Sequence, residues 1–435
     1  MKIFGSSFNN YFYNVDYKIT LDKEDILIKD NETYQTLIGF GGAFTDSSGY
    51  LFDKLSLENK KKFIDLYYGK DGLNYTMMRL TIGSCDFSVS DYDYFTKFDG
   101  SDFSLRHDEA YIIPFVKNVK SIVPSLLVYA SIWSAPAFYK TNNDKCHGGK
   151  LKEDCYSLEA KYFTNYILAM SKEDIEIEGI SMQNEPMATQ SWESCLFTPK
   201  EEVRLLKETH KSFKENNIKT KLYLWDHNRD EVFNRATEYF LDEEARNIAS
   251  GLFYHWYDGN CSANLTKVHN QYPEKELIFS EGCIELLSLN KDDPSKALNT
   301  MANALRYARN YILDSNNFSN GFIDWNMLLN QNGGPNHVGN YCEAPILYNE
   351  KTKELMIMPS YYVIKHFSKF IHRGAKRIGF INNTYLLLTS FINLDGEIIV
   401  VISNESKENR RVNIKIKNET FNFNINSESV ATIVY

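Results

Sequence analysis

The sequence has no run of 18 apolar residues, no Cys-x-x-Cys spacing and no excess of positive charge. The first absence excludes a transmembrane helix, so we expect no integral membrane association. The formal net charge of -9 argues against a nucleic-acid partner, because phosphates require a basic surface. The seven cysteines do not predict a structural zinc site, and we expect mostly free thiols.

The N-terminal residues also lack the apolar segment that a secretion signal requires. Free thiols are typical of a reducing compartment. We therefore expect a cytoplasmic protein, with a mature secreted form as the alternative. We expect a monomer or a homodimer.

Aromatic residues are abundant, at 14% of the 435 residues, and hydrophobic residues make up 43%. Rings of this kind stack on pyranose faces in sugar-binding clefts, although extra core aromatics explain the number equally well. A chain of this length predicts one large domain with a smaller one attached.

Short apolar runs alternate with longer helical stretches through most of the chain. The strand candidates are Ile38–Ala43, Thr76–Gly83, Ser125–Trp133, Gly179–Asn184, Lys221–Asp226, Leu252–Tyr257, Leu277–Glu281 and Phe322–Asn326. Helices are predicted near 55–69, 110–120, 156–173, 199–217, 229–248, 262–271, 295–314 and 359–370. This α/β pattern of strand–helix units predicts a (β/α)8 TIM barrel. An open doubly wound sheet is the main alternative, but no Gly-x-Gly-x-x-Gly follows the first strand.

Beyond residue 372 the pattern becomes purely β. Two apolar runs, Leu386–Phe391 and Ile398–Ile402, flank Asp395-Gly396, which is a strong hairpin signal. The strand-like N-terminal segment has no place in a barrel, so we expect both chain ends to build one all-β sandwich. The predicted domains are the sandwich, residues 1–36 and 372–435, and the catalytic barrel, residues 37–371.

Polar and aromatic side chains follow the predicted barrel strands, where they point into a shared mouth. Glu185 ends the fourth strand and Glu281 ends the seventh. Two facing carboxyl groups are the minimum for cleaving a glycosidic bond, one as proton donor and one as nucleophile. The other strand ends carry residues that suit the hydroxyl groups and C–H face of a sugar: Asp86, Trp133, Asn184, His255, Tyr257 and Trp325.

Each of these residues has a plainer interpretation. A glutamate before a proline is more often a cap or an ion-pair partner, and a tryptophan at a strand end more often belongs to the core. His255 is more often structural than a metal ligand, and no second ligand lies at helical spacing from it. We therefore expect no metal and no cofactor, and the coincidence of so many candidates at one end of a barrel favours a carbohydrate site.

Several motifs occur in order along almost the whole chain: Gly39-Phe40-Gly41-Gly42-Ala43-Phe44-Thr45-Asp46, Ser84-Cys85-Asp86-Phe87-Ser88, Trp133-Ser134-Ala135-Pro136, Asn184-Glu185-Pro186, His255-Trp256-Tyr257, Ser280-Glu281-Gly282-Cys283, Asp324-Trp325-Asn326 and Gly333-Gly334-Pro335-Asn336. Together they resemble glycoside hydrolase family 30, and most closely its glucosylceramidase branch. The resemblance implies a retaining β-glycosidase in which Glu185 is the acid/base and Glu281 the nucleophile. It also implies that the following residues line the sugar subsite: Asp86, Asn184, Tyr257, Trp325 and Asn340. Phe138 occupies a position where these glucosylceramidases usually carry tryptophan, and a phenylalanine there can still stack on a sugar.

The resulting hypothesis is hydrolysis of a β-linked glucoside, glucosylceramide-like or related, by double displacement. We expect carboxyl groups roughly 5–5.5 Å apart, and a pKa of Glu185 raised by burial and by the negative Glu281. An endo-β-1,6-glucanase or a β-xylosidase of the same family is the alternative. A non-catalytic carbohydrate-binding barrel and a metal-dependent barrel hydrolase are remoter ones.

Overall fold

The computed structural model describes residues 1–435, except for the side chain of Pro294. Among the helices that it describes, none is long and apolar enough to cross a membrane.

The chain begins with strands that do not belong to the barrel: β1 (Lys2–Ser7), β2 (Asn10–Asn14), β3 (Tyr17–Thr20) and β4 (Ile26–Thr36). Eight parallel strands then form a closed barrel. They are β5 (Gly39–Ala43), β6 (Met77–Ile82), β7 (Leu127–Ile132), β8 (Ile177–Ser181), β9 (Lys221–Asn228), β10 (Gly251–His255), β11 (Glu276–Glu281) and β13 (Gly321–Asp324). Strand β13 closes the ring against β5, and each strand overlaps its predicted position. The predicted (β/α)8 barrel is confirmed.

The helices are α1 (Asp46–Asp53), α2 (Leu57–Tyr68), α3 (Ile112–Ile122), α4 (Tyr156–Lys172), α5 (Pro199–Glu215), α6 (Val232–Phe240), α7 (Glu243–Ile248), α8 (Ala263–Gln271), α9 (Leu286–Leu289), α10 (Met301–Asn316) and α11 (Pro359–Ser368). The helix predicted at 229–248 is two helices, because Asp242 accepts a hydrogen bond from the Ala245 amide and starts a new one. Similarly, α10 begins later than predicted because Thr300 caps it through the Asn303 amide. Helix α1 was not predicted.

The strands that complete the fold are β12 (Ile284–Glu285), β14 (Leu328–Asn330), β15 (Cys342–Glu343), β16 (Ile346–Asn349), β17 (Glu354–Ile357), β18 (Lys376–Asn382), β19 (Leu387–Ile392), β20 (Ile398–Asn404), β21 (Arg410–Ile416), β22 (Glu419–Ile425) and β23 (Ser429–Val434). The strands from both chain ends pair in the order β2-β1-β23-β20-β19-β18-β4-β21-β22-β3. Alternate residues of β21 and β22 are buried against one another in this β domain, as period-two patterning requires. The predicted hairpin joins β19 to β20.

Two layers of side chains fill the barrel below its C-terminal mouth. The lower layer is an apolar cluster formed by Met77, Tyr129, Tyr223, Phe253, Ile278 and Ile323. Because side chains alternate along a strand, residues two positions further on face the same interior. Those residues are polar, among them Arg79, Ser131 and Ser280, and all three are buried. This polar layer is the floor on which the strand-end residues rest.

Candidate active site

Arg79 lies at the centre of the polar floor and is wholly buried. Its guanidinium donates to Glu281 Oε2 and Asp226 Oδ2, both at 2.9 Å, and to Asn184 Oδ1 at 3.0 Å. Burial lowers the pKa of Arg79, but Asp226 and Glu281 more than restore it. One permanent positive charge therefore ties together the ends of four barrel strands.

Asp226 reaches the floor because the backbone of β9 bulges at this residue. Trp225 and His227 pair with consecutive residues of β10, so Asp226 between them has no partner across the ladder. Its φ of 53° lies in the left-handed region, which is uncommon for a residue with a side chain. Burial raises the pKa of this carboxyl, but Arg79 and His255 hold it well below its ordinary value. Asp226 is therefore a fixed negative charge beneath the mouth.

Glu185 stands at the end of β8, again with a left-handed backbone, at φ 50°. Its Oε1 lies 3.4 Å from His255 Nδ1 and 3.8 Å from His227 Nδ1. Burial raises the pKa of Glu185, but the hydrogen bond from His255 and the charges of both imidazole rings bring it below its ordinary value. The raised pKa expected from the sequence is therefore wrong for the free protein, because neither His227 nor His255 was predicted to flank Glu185.

Glu281, unlike Glu185, accepts hydrogen bonds from Arg79 and Tyr257. Besides Arg79, the hydroxyl of Tyr257 donates to its Oε1 at 3.2 Å. His255 Nε2 lies 3.9 Å from its Oε2. Burial raises the pKa of Glu281, and the charges of His255 and Arg79 limit that rise.

His255 is wholly buried between the carboxyl groups. Its Nε2 lies 3.0 Å from Asp226 Oδ1, and its Nδ1 faces Glu185. Burial lowers the pKa of His255, but Glu281, Asp226 and Glu185 raise it to about 9. The ring carries a proton at neutral pH and does not reach the cavity surface. His255 therefore positions the glutamates and does not contact a substrate, which corrects its predicted role.

A cavity of about 310 Å³ opens above the two glutamates. Most of the predicted site residues line this cavity: Asp86, Trp133, Asn184, Glu185, Tyr257, Glu281, Trp325 and Asn340. Trp133 and Trp325 stack at 5.0 Å between ring centroids, and the Arg79 guanidinium lies within 5.5 Å of both rings. The cavity thus combines carboxyl, amide and indole groups, as a sugar ring requires.

Asp86 is another carboxyl group that lines this cavity. Its Oδ2 accepts a hydrogen bond from Asn340 Nδ2 at 3.0 Å, whereas its buried Oδ1 has no partner among the described residues. Burial and then the negative Glu281 raise the pKa of Asp86 to about 8. An unpartnered buried oxygen at a cavity wall is a ready hydrogen-bonding site for a ligand hydroxyl.

Family models match almost the entire chain. The Glycosyl hydrolase family 30 TIM-barrel domain matches residues 37–371, and the Glycosyl hydrolase family 30 beta sandwich domain matches residues 374–433. The chain belongs to glycoside hydrolase family 30. It is therefore a glycoside hydrolase with a TIM barrel and a C-terminal β-sandwich, as the motifs predicted.

Named relatives agree with this family 30 assignment. Putative glucosylceramidase 3 of Caenorhabditis elegans is 33% identical over 373 residues, which are 81% of this chain and 70% of the relative. The crystal structure of SrfJ from Salmonella typhimurium superimposes with a TM-score of 0.93 at 31% identity, covering 100% of this chain and 99% of that one. The endo-β1,6-glucanase BT3312 superimposes with a TM-score of 0.87 at 27% identity, covering 99% and 98%.

Phe138, like His255, is a predicted sugar contact that does not line the family 30 cavity. It belongs to a short 3-10 helix, Ala137–Tyr139, and packs against the rings of Phe95 and Phe98 at 5.7 and 5.9 Å between centroids. Its side chain serves this aromatic cluster and is not among the residues that line the cavity. The loop after β7 therefore contributes Trp133 to the cavity instead.

Sequence reasoning missed the residues that surround the predicted ones. Arg79 and Asp226 lie beneath the cavity, and its lining also includes Gln190, Trp192, His227, Asn228, Cys283, Glu285, Leu287, Ser288 and Cys342. One signal was available: Arg79 interrupts the apolar run Met77-Met78-Arg79-Leu80, and a charge inside a barrel strand requires a partner.

Among the described residues, only Glu185, His227 and His255 bring metal-binding atoms together, within 4.8 Å of one another. However, a protonated His255 offers no lone pair, because both of its ring nitrogens carry hydrogen.

Proposed function

We propose that this family 30 enzyme hydrolyses β-glucosides, glucosylceramide-like or related, with retention of configuration. The name of the nematode relative supports the substrate class. The cavity supports it as well, because it places the stacked indoles of Trp133 and Trp325 beside carboxyl and amide groups.

One observation carries the assignment of roles. Glu185 and Glu281 approach opposite nitrogens of the same His255 ring, but only Glu281 also receives hydrogen bonds from Arg79 and Tyr257. A permanent cation and a hydroxyl donor stabilise a carboxylate. Glu281 is thus the nucleophile that attacks the anomeric carbon, and Glu185 is the acid/base.

Glu185 must hold a proton when the glycosidic bond breaks, although its pKa is lowered in the free protein. The adjoining His255 holds one, with Nδ1 at 3.4 Å from Glu185 Oε1. We infer that this proton moves from Nδ1 to Oε1 when substrate fills the cavity and displaces water. Glu185 then passes it to the departing oxygen, and later takes a proton from the water that releases the sugar.

Three glutamine variants test these roles. E281Q should abolish hydrolysis of all β-glucosides. E185Q should lower kcat/KM, which reports cleavage of the glycosidic bond, by about a hundredfold to ten-thousandfold on alkyl glucosides, which need a proton donor, and far less on dinitrophenyl glucoside, which does not. E285Q is the matched control, since Glu285 lines the same cavity but pairs with Arg306 at 3.3 Å. Equal losses on both substrates for E185Q would refute its assignment as the acid.

Retention itself is a separate prediction. Proton NMR of a fresh reaction should show the β-anomer of the sugar before mutarotation produces the α-anomer. The α-anomer as first product would mean inversion, and a carboxyl separation wider than the expected 5–5.5 Å.

An endo-β-1,6-glucanase is the second candidate, supported by the close superposition on BT3312. The cavity lining also carries polar groups, including Gln190, Asn228 and Ser288, that could bind a second sugar. Parallel assays on aryl β-glucoside, aryl β-xyloside, β-1,6-glucan and glucosylceramide separate the candidates. Turnover of glucosylceramide well above that of β-1,6-glucan is the expected result, and the reverse order would favour the glucanase.

A further inference from the structure

Two cysteines meet in the cavity wall beside the proposed nucleophile. The sulfur atoms of Cys283 and Cys342 lie 2.6 Å apart, and both side chains are buried. Among the seven cysteines described, no other pair is in contact. Cys283 follows Glu281 by two residues, and Cys342 follows Asn340 by two.

The backbone around the pair is already joined. Strands β12 and β15 pair antiparallel, with Ile284 opposite Glu343 and Glu285 opposite Cys342. This ladder fixes the two segments, which are 59 residues apart in the chain. A disulfide has an S–S bond of about 2.0 Å, so a bond here requires little movement of either segment.

We propose that Cys283 and Cys342 form a reversible disulfide, an oxidative modification site in the wall of the glycosidase cavity. A peroxide is the oxidant. Hydrogen peroxide converts one thiol to a sulfenic acid and releases water. The partner sulfur then attacks the sulfenic sulfur, forms the S–S bond and releases a second water, so two thiols are oxidised as one peroxide is reduced.

The link connects two parts of the cavity. Tyr257 Oη lies 3.6 Å from Cys283 Sγ and also donates to Glu281. On the other side, Asn340 holds Asp86. The disulfide therefore joins the strand that ends in Glu281 to the loop that carries Asn340. This proposal does not depend on which substrate the enzyme hydrolyses.

The experiment compares the reduced protein with protein treated with a small excess of hydrogen peroxide. Free thiols are then blocked with iodoacetamide in denaturant, and the peptides are mapped by mass spectrometry without reduction. Burial raises the pKa of both thiols, so the reaction should be slow and faster at pH 8.5 than at pH 7. The expected result is a peptide pair joined through Cys283 and Cys342, which dithiothreitol separates.

The melting temperature provides a second measurement. Closing a loop of this size should raise it by about 4 °C in a chain of this length. C342S should lose both the joined peptide and the rise, whereas C261S, at a half-buried cysteine elsewhere, should keep both. Oxidation at Cys146 or Cys261 with both cavity thiols still alkylated would overturn the proposal. Because the wild-type peptide map needs no variant, a failure of C342S to fold would not obscure the result, and a failure of the glycosidase assignment would leave it unchanged.

Discussion

Replacing His255 by glutamine tests whether its buried ring carries a charge. The pKa of this ring rises from 6.5 to about 9 among Glu281, Asp226 and Glu185. Each pKa unit corresponds to about 1.4 kcal/mol, so the charged ring contributes roughly 3 kcal/mol to folding. The folded protein binds this proton more tightly than the unfolded chain does. The stabilisation is therefore complete below pH 6.5 and is lost as the pH rises through 9.

Urea unfolding followed by tryptophan fluorescence, repeated from pH 6.5 to pH 9.5, measures this loss. Wild-type protein should lose about 3 kcal/mol more of its free energy of unfolding over this range than H255Q does. Buried carboxyl groups such as Asp86 and Asp324 have pKa values raised to about 8. The folded protein therefore holds their protons more tightly than the unfolded chain, so the stability of both wild-type protein and H255Q falls as the pH rises toward 8. The effect of Asp324 is common to both proteins, because its pKa does not depend on His255, so the difference reports His255 together with the carboxyl groups that it contacts.

His366 provides the matched control. It is equally buried, between Ser6 and Thr432, but burial lowers its pKa to about 3. This ring is neutral in the folded protein, so its contribution changes only between pH 3 and pH 6.5. H366Q should lose stability at every pH above that range and keep the wild-type slope from pH 6.5 to pH 9.5. If H255Q keeps the wild-type dependence of stability on pH over this range, the ring of His255 is not charged in the folded protein.

Further predictions concern the cavity. Y257F removes the hydroxyl that donates to Glu281, and a hydrogen bond to a charged group is worth about 1.5–3 kcal/mol, so kcat/KM should fall about 10–150-fold with an unchanged circular dichroism spectrum. Because the pKa of Asp86 is about 8, the affinity of wild-type protein for a glucose-like inhibitor should change between pH 7 and pH 9 in calorimetry, and D86N should remove the part of that change centred near pH 8. W133L should raise KM for an aryl glucoside about tenfold. F138L, outside the cavity, should lower the melting temperature and leave KM within about twofold. An equal rise in KM for both variants would show that Phe138 reaches the substrate.

The sequence revealed the elements that have a local signature. Apolar runs bounded by polar strand ends predicted all eight barrel strands, and once they are arranged in a barrel, Glu185 and Glu281 must share one mouth. The hairpin at Asp395-Gly396 has an equally local signal. Each of these features depends on residues that are close together in the chain, which is why one sequence is enough to predict them.

The polar floor could not be predicted in this way. Arg79 and Asp226 are 147 residues apart, and Asp226 faces the interior only because a bulge shifts the pleat of β9. With strict alternation along β9, the side chain of Asp226 would point away from the barrel interior. The position of Phe138 depends likewise on Phe95 and Phe98, which lie in the loop after a different strand. Contacts of this kind are set by tertiary packing and have no signal within one segment.

The unequal roles that we propose for the two glutamates rest on charge, not on strand order. Arg79 and protonated His255 supply two positive charges, and Asp226, Glu281 and Glu185 can supply three negative ones. Arg79 pairs with both Asp226 and Glu281 but not with Glu185, so the imidazolium is the main neighbouring positive charge for Glu185. Because Glu185 and His255 are in contact, a proton that leaves the ring for the carboxylate changes neither the number of protons nor the net charge of the site. A site built in this way can make Glu185 an acid without first drawing a proton from solvent.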